Sequence, residues 1–155
     1  MLREPSREAG AGPVSGRVFP ILGRSDVVSV SSQARREARK FGLGTRRSEE
    51  LGIVVAELAS NIVKHGIRGE IVLTLNPDAP PRGEITVEAR DVGPPIRDLQ
   101  LAMTDHHDDQ GPIDPALLLR RGGLGTGLGA VARFADRVEY HEREGGKTVT
   151  ARFYR

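Results

Sequence analysis

The sequence predicts a single α+β domain, a two-layer α/β sandwich in which helices cover one face of a mostly antiparallel sheet. The elements read as two helices, a strand pair, a long irregular segment, one helix and a final strand pair. This order groups helices and strands instead of alternating them, which favours α+β over α/β. The length of 155 residues, 37% of them hydrophobic, fits one domain with its own core.

The first elements follow a segment without periodicity. Residues 1–16 are rich in Gly, Pro, Ser, Arg and Glu and are predicted to form a disordered tail. Residues 17–22 predict an edge strand, because Pro20 cannot donate a hydrogen bond to a second neighbour. A helix is predicted from Ser25 to Phe41, between a Ser-Asp cap and the glycines that follow it.

The second helix is the strongest in the chain and is predicted from Thr45 to Gly66. Its apolar residues recur at helical spacing, at Leu51, Val54, Val55, Leu58 and Ile62. Segments 70–76 and 84–91, separated by turn residues, predict an antiparallel hairpin. A helix at 128–135 and a second hairpin with a Gly-Gly turn complete the prediction.

The segment 92–122 carries four prolines and only one short helical candidate, Pro115 to Leu119. Segments of this length without predicted secondary structure are usually lids or disordered. His106, His107, Asp108 and Asp109 lie within it. They favour a solvated lid over a metal site, because adjacent loop residues rarely converge on one ion.

Composition excludes several classes of function. The absence of Cys rules out disulfide scaffolds, thiolate catalysis and Cys-based zinc sites. A formal net charge of +2 and 4% aromatic residues argue against a nucleic-acid partner. No apolar run reaches the roughly 18–20 residues of a membrane span, so no membrane partner is expected. The first residues lack the apolar core of a secretory signal, so we expect a cytoplasmic location.

Polar residues on the second helix form the first candidate site. Glu57, Asn61, Lys64 and His65 stand at i, i+4, i+7 and i+8 and therefore share one face, opposite the apolar stripe. An ordinary solvated helix face would explain the spacing equally well. However, Asn is a poor helix former, and its carbonyl oxygen can ligate a hard cation.

Two further segments could bind a nucleotide. In Asp91 to Ile96 (DVGPPI), Asp91 could accept a hydrogen bond from an exocyclic amine and Gly93 could allow a flat ring to approach, although a simple turn fits too. Alternating glycines at 123, 125, 127 and 129 open a helix, where free backbone N–H groups bind phosphates. A flexible connector is the alternative for these glycines.

In order and spacing, the three segments resemble the N, G1 and G2 boxes of the GHKL ATPase superfamily. ELASNI (57–62) resembles the N box, DVGPPI (91–96) the G1 box and GGLGTGLGAVARFAD (122–136) the G2 box. The likeness is to its small serine kinases, the RsbT-type switch kinases of stressosomes and the anti-sigma-factor kinases. The resemblance implies the Bergerat (GHKL ATPase) fold over 17–155, with a lid at about 93–122.

The same resemblance implies roles for individual residues. Glu57 would be the general base, Asn61 would hold Mg²⁺ and Lys64 would bind the nucleotide. Asp91 would accept the adenine N6 hydrogen bond, and Gly93 would allow adenine a close pass. The remaining residues assigned to ATP binding are Gly125, Thr126, Gly127, Leu128, Gly129 and Thr148, with Thr148 beside Asp91 under the base. Arg120 and Arg121, just before the glycines, could contact the γ-phosphate, and Arg121 is assigned to the site, although a flanking arginine is also common in an Arg-rich chain.

The resemblance implies an ATP-dependent serine/threonine kinase that phosphorylates a STAS-domain antagonist in bacterial partner switching. A downstream phosphatase or a sigma factor would be a further partner, and a homodimer or a large assembly is compatible with the family. Three alternatives stay open: an anti-sigma factor, a nucleotide-gated binding module without phosphotransfer, and a detached histidine-kinase catalytic domain. The G1 box departs from D-x-G-x-G, because Pro95 replaces its second glycine.

Overall fold

The predicted α+β architecture is confirmed by the computed structural model, which describes residues 13–96, 107–108, 111–112 and 128–155. A five-stranded antiparallel sheet has the order β1-β2-β3-β7-β6. Its strands are β1 Ser15–Ile21, β2 Arg68–Asn76, β3 Glu84–Val92, β6 Arg137–Arg143 and β7 Gly146–Tyr154. The helices are α1 Arg24–Phe41, α2 Thr45–His65 and α3 Gly129–Phe134. Two short strands, β4 His107–Asp108 and β5 Gly111–Pro112, pair with each other.

Both predicted hairpins are present, β2 with β3 and β6 with β7. The N-terminal strand is an edge strand, as predicted, and pairs with β2 alone. It begins at Ser15, opposite Leu75, two residues before the predicted start of the domain. The predicted helix Pro115 to Leu119 and most of the predicted tail lie outside the described residues.

The first helix is capped differently from the prediction. It begins after Gly23, and the carboxylate of Asp26 accepts hydrogen bonds from the backbone N–H groups of Leu22 (2.8 Å) and Gly23 (3.0 Å). The predicted Ser-Asp cap at Ser25 is therefore wrong in detail, because Asp26 caps from inside the first turn. The helix ends as predicted at Gly42, whose φ of 96° is a left-handed conformation that glycine adopts without strain.

The core lies between the sheet and helix α2. Strand alternation turns one set of side chains toward the helices. The buried apolar residues of this set are Ile21, Ile71, Leu73, Leu75, Ile85, Val87, Ala89, Val149, Ala151 and Phe153. The apolar stripe of α2 that meets them is the predicted one, Leu51, Val54, Val55, Leu58 and Ile62. Across the described ranges, no helix combines the length and apolarity needed to cross a membrane.

The opposite face of the sheet carries paired charges. Arg90 on β3 lies 3.9 Å from Glu70 on β2. Arg152 on β7 contacts Glu84 on β3 and lies 3.6 Å from Glu139 on β6. Acid and base thus alternate across neighbouring strands, so the local charges of this face largely compensate one another.

Arg47 connects α2 to the C-terminal part of the domain. Its guanidinium donates hydrogen bonds to Glu50 (2.6 Å), to the carbonyl of Phe134 (2.8 Å) and to Asp136 (2.7 Å). It also lies 5.0 Å from the ring centroid of the buried Phe153. A planar fork of donors suits such a multiple contact, whereas the single ammonium of Lys would not satisfy it.

We expect Arg47→Ala to lower the free energy of unfolding by about 1–3 kcal/mol, because the acceptors it satisfies lose a charged donor. Denaturant unfolding measures this loss. Arg46→Ala is the matched control, since Arg46 is 91% exposed and, among the residues that the structure describes, pairs only with Glu50, so its loss should stay within about 0.5 kcal/mol. Equal losses in the two variants would contradict the role given to Arg47.

Candidate functional site

The end of α2 lies against the end of β3, which brings the predicted N-box and G1 segments together. A Cβ built on Gly93 would lie 3.1 Å from both the Cα of Gly66 and the carbonyl oxygen of His65. A Cβ on Gly66 would lie 3.3 Å from the Cβ of Asp91. Glycine at 93 therefore has a packing reason within the chain itself, besides the predicted approach of a base.

Glu57 is a buried carboxylic acid on α2. Only 5% of the residue is exposed. Burial raises its pKa to about 7, and the nearby ammonium of Lys64 opposes the shift. Within the part of the chain that the structure describes, its carboxyl group makes no hydrogen bond. Such an acid exchanges a proton near neutral pH, which is the property that a general base needs.

The other predicted residues of this helix face become more exposed toward the end of α2. Asn61, one turn further along α2, is half-buried, while Lys64 and His65 are exposed. The electrostatic effect of Lys64 on Glu57 agrees with their shared helix face. An ordinary solvated face does not describe this helix surface, because Glu57 is withdrawn from water.

Asp91 is also buried, and its partner is a residue that the sequence reasoning missed. Lys147 Nζ donates to Asp91 Oδ1 at 2.9 Å, and the two side chains are 7% and 5% exposed. The signal was present in β7, where Lys147 occupies an inward position two residues before Val149 and four before Ala151. A lysine in phase with core residues predicts a buried, paired charge.

Thr148 does not lie beside Asp91, contrary to the sequence-based expectation. The register places Lys147 opposite Asp91 and Thr148 opposite Arg90. Because directly opposed residues share a face and successive residues alternate, Thr148 points to the other side of the sheet. The expected neighbour of Asp91 was thus wrong by one residue.

Two part-buried hydrogen bonds hold the segment that follows β3. Lys147 Nζ also donates to the carbonyl of Pro94 (2.9 Å), and the N–H of Ile96 donates to the hydroxyl of Tyr140 (3.0 Å). Burial raises the pKa of Tyr140, and nearby carboxylates, including that of Asp91, add to the shift. Pro95 stands between the two anchored residues, where its missing N–H removes neither of these hydrogen bonds.

Glycines on the two neighbouring strands allow their backbones to pack closely against the backbone at Asp91. A Cβ on Gly69 would lie 2.7 Å from the carbonyl oxygen of Arg90, and one on Gly146 would collide with the carbonyl oxygen of Asp91 itself. The β2 and β7 backbones therefore pack directly against this position. The sequence contained these glycines, but only the strand register shows that both surround Asp91.

The G2 segment is described only at its end. Leu128 is buried, and Gly129 begins α3, which packs against α2. The other predicted phosphate-binding residues, Arg121, Gly125, Thr126 and Gly127, lie outside the described residues. So do His106 and Asp109 of the acidic segment, and among the residues that are described no cluster of acids and histidines could hold a metal.

The donor set beside Glu57 fits a hard cation carried by phosphates. Mg²⁺ prefers oxygen ligands and is usually held by one or two protein groups together with substrate phosphates. The carboxamide oxygen of the half-buried Asn61 is such a group, one helical turn from the buried carboxyl of Glu57. Asp91 is buried as well, and its carboxylate pairs with Lys147.

Comparison with known proteins identifies the family of the domain. The family model described as "Histidine kinase-like ATPase domain" matches residues 24–153. Serine/threonine-protein kinase RsbT of Bacillus subtilis (strain 168) is 28% identical over 128 residues, which are 83% of this chain and 87% of that protein.

A solved structure supports the fold. The crystal structure of the RsbU and RsbW domains of Rv1364c from Mycobacterium tuberculosis superposes with a TM-score of 0.56 at 15% identity. The match covers 91% of this chain and 32% of that one. Given the extent of the family match and the antiparallel sheet beneath α2, the chain belongs to the histidine kinase-like ATPase domain family.

Proposed function

We propose that the protein is an ATP-dependent serine/threonine protein kinase that phosphorylates a STAS-domain antagonist in a bacterial partner-switching pathway. The observation that carries the proposal is Glu57, a buried carboxyl group with a pKa raised to about 7, one turn from Asn61 on the same helix. The similarity to serine/threonine-protein kinase RsbT supports the protein substrate class.

In this reaction Glu57 would accept the proton of the attacking serine or threonine hydroxyl. The bond from that oxygen to the γ-phosphorus forms while the bond from the γ-phosphorus to the ADP oxygen breaks, so one ATP yields one phosphoprotein and ADP. Phosphoryl transfer depends mainly on positioning and on neutralising charge, so a single proton acceptor suffices.

The remaining residues would bind the substrate nucleotide. Asn61 would hold Mg²⁺, which when bound offsets charge on the ATP phosphates. Lys64 is exposed at the same surface and would face the phosphates, and Asp91 would accept a hydrogen bond from the base. Residues 121–129 of the G2 segment would wrap the phosphates, as the family resemblance implies.

The test is to incubate the protein with Mg·ATP and a STAS-domain protein from the same organism, and to record the intact mass of that partner. We expect one added phosphoryl group that survives acid treatment and does not form without Mg²⁺. An acid-labile phosphate would point to a histidine-kinase reaction instead. An unmodified partner despite ATP binding would overturn the kinase proposal and favour a nucleotide-gated binding module.

A further inference from the structure

The ion pair of Asp91 and Lys147 is buried at the place where the proposed function puts the base of the nucleotide. Asp91 Oδ1 and Lys147 Nζ are 2.9 Å apart, and both residues are 5% exposed. They oppose each other on β3 and β7 and share the helix-facing side of the sheet. Any group recognised by Asp91 therefore meets Lys147 as well.

Both members of this ion pair keep hydrogen-bonding groups that the other described residues do not use. An ammonium carries three N–H donors. Lys147 uses one for Asp91 and one for the carbonyl of Pro94, and among the described residues the third has no acceptor. The carboxylate of Asp91 has a second oxygen, Oδ2, that Lys147 does not occupy. The pair thus offers an acceptor and a cationic donor side by side.

A lone carboxylate and a carboxylate–ammonium pair select different bases. A carboxylate only accepts hydrogen bonds, so it suits the amine of a 6-aminopurine and opposes the oxygen of a 6-oxopurine, since two acceptors would then face each other. An ammonium beside it can donate to that oxygen, while the N1–H of the same 6-oxopurine donates to the carboxylate.

We propose that Lys147 is a specificity-determining residue that lets the site accept 6-oxopurine nucleoside triphosphates, those of inosine and guanosine, as well as ATP. This inference rests on the proposed function, because it takes Asp91 to be the group that contacts the base. Lys147 acts here by a direct contact with the purine and by removing the repulsion that Asp91 alone would impose.

The test compares the dissociation constants of Mg·ATP and Mg·ITP by isothermal titration calorimetry. ITP is the matched probe because it differs from ATP only at the hydrogen-bonding edge of the purine. For the wild type we expect the two constants to agree within about tenfold. For Lys147→Met we expect ITP to be disfavoured by a further ~10- to 100-fold, the effect of losing one charged hydrogen bond.

Two further variants keep the test decisive. Lys147→Arg retains a cationic donor and should retain the wild-type ratio even if Lys147→Met fails to fold. Lys40→Met removes the same charge from an exposed position on α1, where the side chain is 75% exposed, and should also leave the ratio unchanged.

The outcomes separate this proposal from the proposed function. If the wild type binds ATP and disfavours ITP by much more than tenfold, the assignment of Lys147 is overturned while ATP binding stands. The assignment is equally overturned if Lys147→Met folds and shows the wild-type ratio. If the wild type binds neither nucleotide, the proposed function fails, and the assignment of Lys147 fails with it.

Discussion

Replacing Glu57 with Gln is expected to lower the rate of phosphoryl transfer by about 10²- to 10⁴-fold, the usual contribution of a general base. Glutamine keeps the size of the side chain and the helix but cannot accept the proton of the attacking hydroxyl. ATP affinity should change little, because the proposed nucleotide contacts lie on other residues. Single-turnover phosphorylation of the STAS-domain partner measures the rate, and calorimetry measures ATP binding.

The dependence of this rate on pH provides a second check on Glu57. A base must be ionised, and burial raises the pKa of Glu57 to about 7. The rate should therefore rise with pH up to about 7 and level off above it, falling about tenfold per pH unit on the acidic side. In Glu57→Gln this dependence should disappear.

Glu49→Gln is the matched control for this prediction. Glu49 lies on the same helix, but its side chain is 44% exposed and pairs with Arg35 and Arg39. We expect this variant to keep the wild-type rate and pH profile. If Glu57→Gln instead phosphorylated the partner as fast as the wild type does, Glu57 would not be the base.

The second large effect concerns stability and the buried ion pair. Asp91→Ala should lower the free energy of unfolding by about 3–5 kcal/mol, because it leaves the ammonium of Lys147 buried without its counter-charge. Asp78→Ala, in the exposed turn between β2 and β3, is the control and should change stability by no more than about 0.5 kcal/mol.

A double-mutant cycle distinguishes the pair from general packing. Asp91→Ala combined with Lys147→Met removes both charges, so the double variant should be more stable than Asp91→Ala alone. Urea unfolding of the four proteins gives the coupling free energy. A double variant that loses the sum of the two single losses would show that the charges are not coupled.

Local sequence signals predicted most of the fold. Turn residues marked both hairpins, helical periodicity marked α2, and Gly42 marked the end of α1. The cap of α1 was misplaced because Ser25 and Asp26 are both good caps by type, and only the geometry shows that Asp26 reaches back to Gly23.

The candidate site was less predictable, because its groups are brought together by packing between distant segments. Helical spacing placed Glu57 and Asn61 on one face, but it did not show that packing in the folded domain would bury Glu57. Asp91 was identified at a strand end, but its neighbour depends on the register of β3 with β7, which local sequence does not determine. A shift of one residue exchanged Thr148 for Lys147.

The paired charges on the outer face of the sheet have a consequence for how this sequence can vary. Arg152 stands between Glu84 and Glu139 on the two flanking strands. Exchanging Arg152 for an acid would set three carboxylates beside one another, whereas exchanging partners together would restore the balance. In related sequences we therefore expect substitutions at these positions to be correlated, with an acid and its basic partner changing together.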